Sequence, residues 1–300
     1  MFATPRAASA PLRLLTALLA AFVASSVLIG PLAQPSQAAS SERSNASDIA
    51  VAAHRGSSGV APENTIAAVR LALQQHADVM ENDIQRTKDD ALVIVHDTNL
   101  VRTTDVEQVF PERAPWNVRD FTLAEIKRLD AGSWFDPSFA GERVPTLREW
   151  VKAVGSRAGM LLEVKAPELY PGIEIDVDKE LRSLPGFRAA LSRGEVDVQS
   201  FNHAWLRSYK DRAPDVPVGL LFGTRPTEAQ IADAATWAQQ INPALGVIDE
   251  ATVDRVHAHG MEIHVWTVNA GQDMRRAASW GVDGIITNYP QVLREILRRG

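Results

Sequence analysis

Eight short apolar runs, most of them separated by an amphipathic stretch long enough for a helix, constrain what this chain can fold into. The strand candidates are 49–54, 79–84, 92–96, 160–164, 196–201, 218–222, 262–268 and 284–287. Most are β-branched or Leu-rich without strict alternation, as strands covered on both faces are. Helix candidates fall between them at 65–76, 146–154, 177–184, 204–211, 227–238, 250–259, 271–280 and 290–298, the first with Asn64 as its cap. Strands alternating with helices predict an α/β fold, a closed (β/α)8 TIM barrel, in preference to an open doubly wound sheet. Such a barrel takes ~250 residues, so a chain of 300 holds one domain and a leader.

Two departures from the alternation are informative. Only residues 85–91 separate the second and third runs, too few for a crossover helix, which needs about a dozen. Residues 79–96 are therefore expected to form a hairpin-like pair that sets Asp83 beside Val95 or His96. Residues 98–145 form a polar segment containing Pro111, Pro115 and Pro137 with Trp116, Trp134, Phe135 and Phe139. A connection that long is functional or packs on itself. It is expected as a small insertion after the third strand, lying over the strand ends, within a barrel domain spanning residues 39–300.

The N-terminus differs from the rest. Arg6 and Arg13 are its only charges before Glu42, residues 14–30 are all apolar or small, and Ser36 and Ala38 make a small-x-small site. That pattern predicts a signal peptide over residues 1–38, cleaved in a secreted protein, in preference to a membrane anchor. There is no cysteine, which excludes disulfides, thiolate metal sites and a cysteine nucleophile, and the formal net charge is −6. Losing the leader would remove two arginines and no acid. An acidic body of this kind repels nucleic acid, so no nucleic acid partner is expected.

Chemistry-bearing residues gather at the C-terminal ends of the expected strands, where barrel enzymes keep their active sites. Glu81 and Asp83 stand two apart and so share one side of the sheet, with Asn82 on the other. Carboxylates buried together repel unless a cation intervenes. With Glu163 from another strand end they offer three oxygen ligands, a set that suits Mg²⁺, Ca²⁺ or Mn²⁺ and not zinc. His54 and His96 end two strands and supply a base and an acid near neutral pH. Arg55 and Lys165 are the expected phosphate clamps. Glu63 is expected to hold Arg55, meet substrate or cap a helix, and Trp266 to wall the site or to pack in the core. Among the other histidines, His76, His257 and His259 are read as facing solvent, His203 and His264 as structural.

In order along the chain come His54-Arg55-Gly56, Pro62-Glu63-Asn64-Thr65, Glu81-x-Asp83, Thr87-Lys88-Asp89, His96-Asp97, Arg102-Thr103-Thr104, Val144-Pro145-Thr146-Leu147, Glu163-x-Lys165, Ser200-Phe201, Trp266-Thr267-Val268-Asn269 and Gly281–Thr287. From Ala52 to the C-terminus the chain thereby resembles the glycerophosphodiester phosphodiesterase family. The resemblance implies a barrel with an insertion after the third strand. It also implies one divalent cation, Ca²⁺ or Mg²⁺, on Glu81, Asp83 and Glu163, and His54 and His96 as the acid/base pair. The substrates implied are small glycerophosphodiesters, cleaved to glycerol 3-phosphate and an alcohol. Three positions depart from the family pattern: Asn82 replaces an apolar residue, Asp90 a glycine, and Asn288 an aspartate. A phospholipase D-like or wall-polymer-cleaving enzyme, needing an exposed apolar patch, and an exported binding protein are the competing readings.

Overall fold

The computed structural model describes residues 49–299, so the leader expected at 1–38 lies outside the described residues. Nine strands form one sheet: β1 (Ala50–Ala53), β2 (Val79–Arg86), β3 (Leu92–Ile94), β4 (Gly159–Val164), β5 (Val196–Ser200), β6 (Val218–Phe222), β7 (Gln240–Pro243), β8 (Glu262–Val265) and β9 (Gly284–Thr287). Their order is β1-β9-β8-β7-β6-β5-β4-β2-β3, and β1 also pairs with β2. That pairing closes eight parallel strands into a barrel, while β3 runs antiparallel along β2 and stays outside the closed ring.

The TIM barrel is as expected, but its membership differs by one strand. Residues 92–96 do not supply a barrel strand. The missing member is β7, where the sequence reading has no strand because Gln-Ile-Asn-Pro is not an apolar run. Ile241 packs in the main core, whereas Gln240 and Asn242 are buried polar residues, with Asn242 Nδ2 donating to Gln199 Oε1 at 2.9 Å. A barrel lumen with polar filling removes the hydrophobic signal from half of a strand.

The hairpin reading holds. Ile84 pairs with Ile94, and Val95 N donates to Asp83 O at 2.9 Å. Asp90 takes the left-handed conformation in the turn (φ 63°), one of the few side chains that tolerate it. Alternate residues of β3 and its extension face different cores: Leu92 and Ile94 the main one, Val93 and Val95 the insertion. Leu100, Val106, Phe121, Ile126 and Leu129 complete that second core, so the insertion packs on itself around β3.

Alternation along the barrel strands separates two environments. Val51, Ala53, Met80, Ile84, Leu162 and Val164 pack in the main core with Trp150 of helix Leu147–Val154, which starts in a Thr146/Glu149 capping box. Ala52, Leu161 and Ile286 form a separate small cluster with Val79 and Trp266. Three α-helices, Val106–Val109, Leu123–Ile126 and Pro185–Ser192, were not expected from the sequence. The cap of Ile66–Gln74 is Thr65, whose side chain accepts from Ala68 N, and not Asn64. No helix among the described residues is long and apolar enough to cross a membrane.

Asn82 lies between Met80 and Ile84 in sequence, fully buried, with neither side-chain amide atom hydrogen-bonded. A buried polar group left without a partner costs about 1–3 kcal/mol. Asn82→Leu is therefore expected to raise the unfolding midpoint by several degrees, read by calorimetry on the metal-free protein; a lower midpoint would show that the amide has a stabilising role.

Candidate active site

The register of β2 against β4 assembles the acidic cluster. Glu81 lies opposite Leu161 and Asp83 opposite Glu163, so all three carboxylates share the side of the sheet that carries Leu161. Glu81 is 1% exposed, Asp83 0% and Glu163 6%. One oxygen from each lies within 4.8 Å of the others. Burial, together with Asp83 and Glu163, pushes the Glu81 carboxyl well above its ordinary range. Burial and Asp83 likewise push Glu163 up to about 7. Burial also acts upward on Asp83, but Arg55 and Lys165 outweigh it and hold that group low.

Two cations border the three acids. Arg55 Nε is 3.1 Å from Asp83 Oδ2, and Lys165 Nζ donates to Glu163 Oε1 at 2.6 Å while standing 3.8 Å from Asp83 Oδ1. Asn64 Nδ2 donates to Asp83 Oδ2 at 2.8 Å. Backbone geometry contributes as well. Arg55 sits at φ 56°, and its N–H donates to Glu81 Oε2 at 2.7 Å. Gly56 follows at φ 80°, where a Cβ would stand 2.7 Å from Ala68. Left-handed backbone costs energy for a non-glycine residue, and here it lies beside the acidic cluster. Even so, Glu81 Oε1 and Asp83 Oδ1 remain buried without a hydrogen-bond partner. Converging oxygens, two without partners, and no sulfur donor fit one hard divalent cation.

Both histidines come from the same end of the barrel. His54 follows β1, and its Nδ1 donates to Asn288 Oδ1 at 2.6 Å, just beyond β9. That bond leaves Nε2 with the lone pair when the ring is neutral. Burial and the Arg55 charge lower its pKa to about 4, with Asp83 opposing them. His96 follows β3, and its Nδ1 meets Asp97 Oδ1 at 2.6 Å. Burial raises the Asp97 carboxyl, but Arg102 and His96 outweigh it and bring it to about 2. Both imidazoles lie within electrostatic range of Asp83.

Glu63 is not a helix cap. Its Oε1 accepts from Arg55 Nη1 at 2.9 Å, and both its oxygens accept from Arg102. Trp266 packs on Ala52, Leu161 and Ile286, and its Nε1 donates to Asn242 O at 2.7 Å. Phe201 meets Trp266 edge-on at 5.5 Å, stands 5.6 Å from Lys165 Nζ and is 48% exposed. A cavity of about 600 Å³ runs from Glu163 and Lys165 past Phe201 to His203. A larger one, about 1070 Å³, opens at the N-terminal ends of the strands, among Ala50, Asp78, Gly159 and Glu262, and contains none of these groups.

Three of the remaining histidines are engaged elsewhere. His257 meets Asp283 at 2.8 Å, His259 meets Glu228 at 2.6 Å, and His203 Nε2 donates to Leu221 O at 2.8 Å.

Residues 54–292 match the sequence pattern of the glycerophosphoryl diester phosphodiesterase family. The chain belongs to that family. A glycerophosphodiester phosphodiesterase of Bacillus subtilis is 35% identical over 292 residues, 93% of this chain and 97% of the relative. Another, from Caldanaerobacter subterraneus subsp. tengcongensis, is 39% identical over 83% of this chain and 98% of its own length. Among solved structures, an Oleispira antarctica phosphodiesterase in complex with the product sn-glycerol-3-phosphate superposes with a TM-score of 0.73 at 28% identity, covering 85% of this chain and all of that one. A glycerophosphodiester phosphodiesterase from Agrobacterium tumefaciens superposes with a TM-score of 0.66 at 27% identity, covering 82% and 99%. As a member of the family the chain is a phosphoric diester hydrolase acting on glycerophosphodiesters.

Four residues with direct polar contacts to this cluster escaped the sequence reading of site residues: Asn64, Asp97, Arg102 and Asn288. Three of them stand inside motifs that carry the family resemblance, and Asn288 is one of its departures.

Proposed function

We propose that the enzyme hydrolyses small soluble glycerophosphodiesters to glycerol 3-phosphate and an alcohol, with one Ca²⁺ or Mg²⁺ on Glu81, Asp83 and Glu163. The observation that carries this reading is the meeting of three buried carboxylates from β2 and β4, with two of their oxygens left without partners. A bound divalent cation supplies charge neutralisation for the phosphoryl oxygens as negative charge grows. Arg55 and Lys165 add their positive charge at the rim and hold the phosphate in place.

The two histidines divide the proton transfers according to their partners. His54 is held by a neutral amide and is driven toward the unprotonated state, so its Nε2 accepts the proton of the attacking oxygen. His96 is held through Nδ1 by a carboxylate, which fixes the orientation of its ring, so it gives a proton to the departing alkoxide. The attacking oxygen belongs to water or to the neighbouring glycerol hydroxyl; a 2-deoxyglycerol analogue, which cannot cyclise, separates the two. Phe201 and Trp266 give an apolar wall to the carbon skeleton of the substrate.

Two residue-level expectations follow from this division. Asn288→Asp gives His54 a charged partner and raises its proton affinity. The acidic limb of kcat/KM against pH should then move upward by about one to three pH units; an unmoved limb would remove His54 from the base role. Action on soluble substrates is favoured by the state of the insertion, where Trp134 is the one exposed large hydrophobic and Trp116 packs against the insertion core. Release of glycerol 3-phosphate from glycerophosphocholine, with little release from phosphatidylcholine vesicles, is the expected assay result; the reverse preference would favour the lipid-cleaving reading. Export through the leader rests on its sequence pattern, and N-terminal sequencing of protein recovered from the medium, expected to begin near Ala39, tests it.

A further inference from the structure

Arg102 stands at the start of the insertion and makes two forked contacts. Its Nε donates to Asp97 Oδ2 at 2.6 Å and its Nη2 to Asp97 Oδ1 at 3.2 Å. Toward the other side, Nη1 donates to Glu63 Oε2 at 2.8 Å and Nη2 to Glu63 Oε1 at 2.7 Å. Each carboxylate has a second client. Asp97 Oδ1 meets His96 Nδ1, and Glu63 Oε1 accepts from Arg55 Nη1. One guanidinium thus joins the loop after β3, which carries His96, to the loop after β1, which carries Arg55.

Stability alone is a weak explanation for this arrangement. The Arg102 side chain is 43% exposed, and ion pairs at exposed positions contribute little. What the double fork does supply is direction: a planar donor set fixes both carboxylate planes at once, which a lysine ammonium cannot do. A carboxylate that orients a catalytic imidazole is useful only if it is itself held.

We infer that Arg102 is a positioning residue for protonation of the leaving group. It locks Asp97 so that His96 keeps Nδ1–H toward the carboxylate and presents the Nε2 proton to the leaving oxygen. As the P–O bond breaks, its electron pair goes to the alkoxide oxygen, which takes the Nε2 proton and leaves His96 neutral. The inference rests on the reading of His96 as the general acid.

The test compares two glycerol 3-phosphate diesters, one with choline and one with p-nitrophenol, whose anion departs without needing a proton. Arg102→Met is expected to lower kcat on the choline ester by about 10–100-fold, and to leave kcat on the p-nitrophenyl ester within about threefold. Arg102→Lys, which keeps the charge and loses the fork, should recover only part of the difference. Asp97→Asn breaks the same link from its other end and should show the same selectivity, which covers the case of a poorly folded Arg102→Met. His96→Ala is the control. If it is selective for the choline ester while the Arg102 and Asp97 variants slow both substrates alike, the positioning role is overturned and the acid assignment stands. Loss of both substrates by His96→Ala overturns the acid assignment and this inference with it.

Discussion

Glu81→Gln is expected to reduce kcat/KM by about a thousandfold or more while leaving the protein folded. The reasoning starts from electrostatics. Three buried carboxylates and two neighbouring cations leave excess negative charge, and two carboxylate oxygens have no donor. A divalent cation resolves that excess, and an amide at position 81 removes one of its anionic ligands. Losing preorganised charge stabilisation at a reacting phosphate costs at least as much as losing one oxyanion donor, about 10²–10³ in kcat.

The same substitution has a second signature without turnover. Glu163 is pushed up to about 7, and Glu81 is raised as well. A carboxyl whose folded pKa exceeds its unfolded value near 4.3 binds protons preferentially in the folded state. Between that value and about 7 the metal-free protein therefore loses stability as pH rises. Glu81→Gln removes one such group, so its metal-free form should unfold at a higher temperature than wild type near pH 8. Cation present at a hundred times its dissociation constant would stabilise wild type by about 2.7 kcal/mol, or ~5–10 °C for a chain of this size. The variant should show little of that gain. Equal metal-induced shifts in the two proteins, measured by scanning calorimetry, would place the cation elsewhere.

His54→Ala and His96→Ala carry the second large effect. Each should lower kcat by about 10²–10⁴, the range for loss of a positioned acid or base, with KM and the unfolding midpoint changed much less. The two variants differ in their pH response. The acidic limb governed by the base should vanish in His54→Ala and remain in His96→Ala. Release of p-nitrophenol from an activated diester should survive in His96→Ala only. If both variants keep near-normal kcat at saturating metal, neither imidazole is in the proton path.

Where the sequence was legible, the physics was local or periodic. Apolar runs at strand spacing gave seven of the eight barrel strands, and Glu81-x-Asp83 could be placed on one face of β2 because strand side chains alternate. The short span after β2 excluded a helix and gave the hairpin. Legibility failed where a polar lumen replaced an apolar one. In β7, Gln240 and Asn242 hide the strand, and residues 92–96 were counted in its place because their two cores both want apolar side chains. Helix Pro185–Ser192 went unseen because Ile173–Ser183 runs up to it with only Leu184 between them.

The supporting residues failed for a different reason. Asn64 looks like a helix cap in sequence, yet at φ 59° its amide reaches Asp83 while Thr65 does the capping. Asn288 lies 234 positions from the histidine it holds. Arg102 and Glu63 lie 39 positions apart. Contacts of that kind depend on how loops at neighbouring strand ends meet, which no spacing along the chain encodes. Arg55 and Lys165, expected as phosphate clamps from their place beside the acids, are also ion-paired with acidic residues of the site in the structure.

The most direct measurement is a titration of Ca²⁺ or Mg²⁺ into chelator-treated protein, following bound metal by calorimetry and glycerol 3-phosphate release from glycerophosphocholine in the same samples. One ion per chain should bind, turnover should rise in proportion to occupancy, and Glu81→Gln should show neither. Full turnover in excess chelator, or undiminished binding to the variant, would contradict the assignment of the carboxylates of β2 and β4 to the metal.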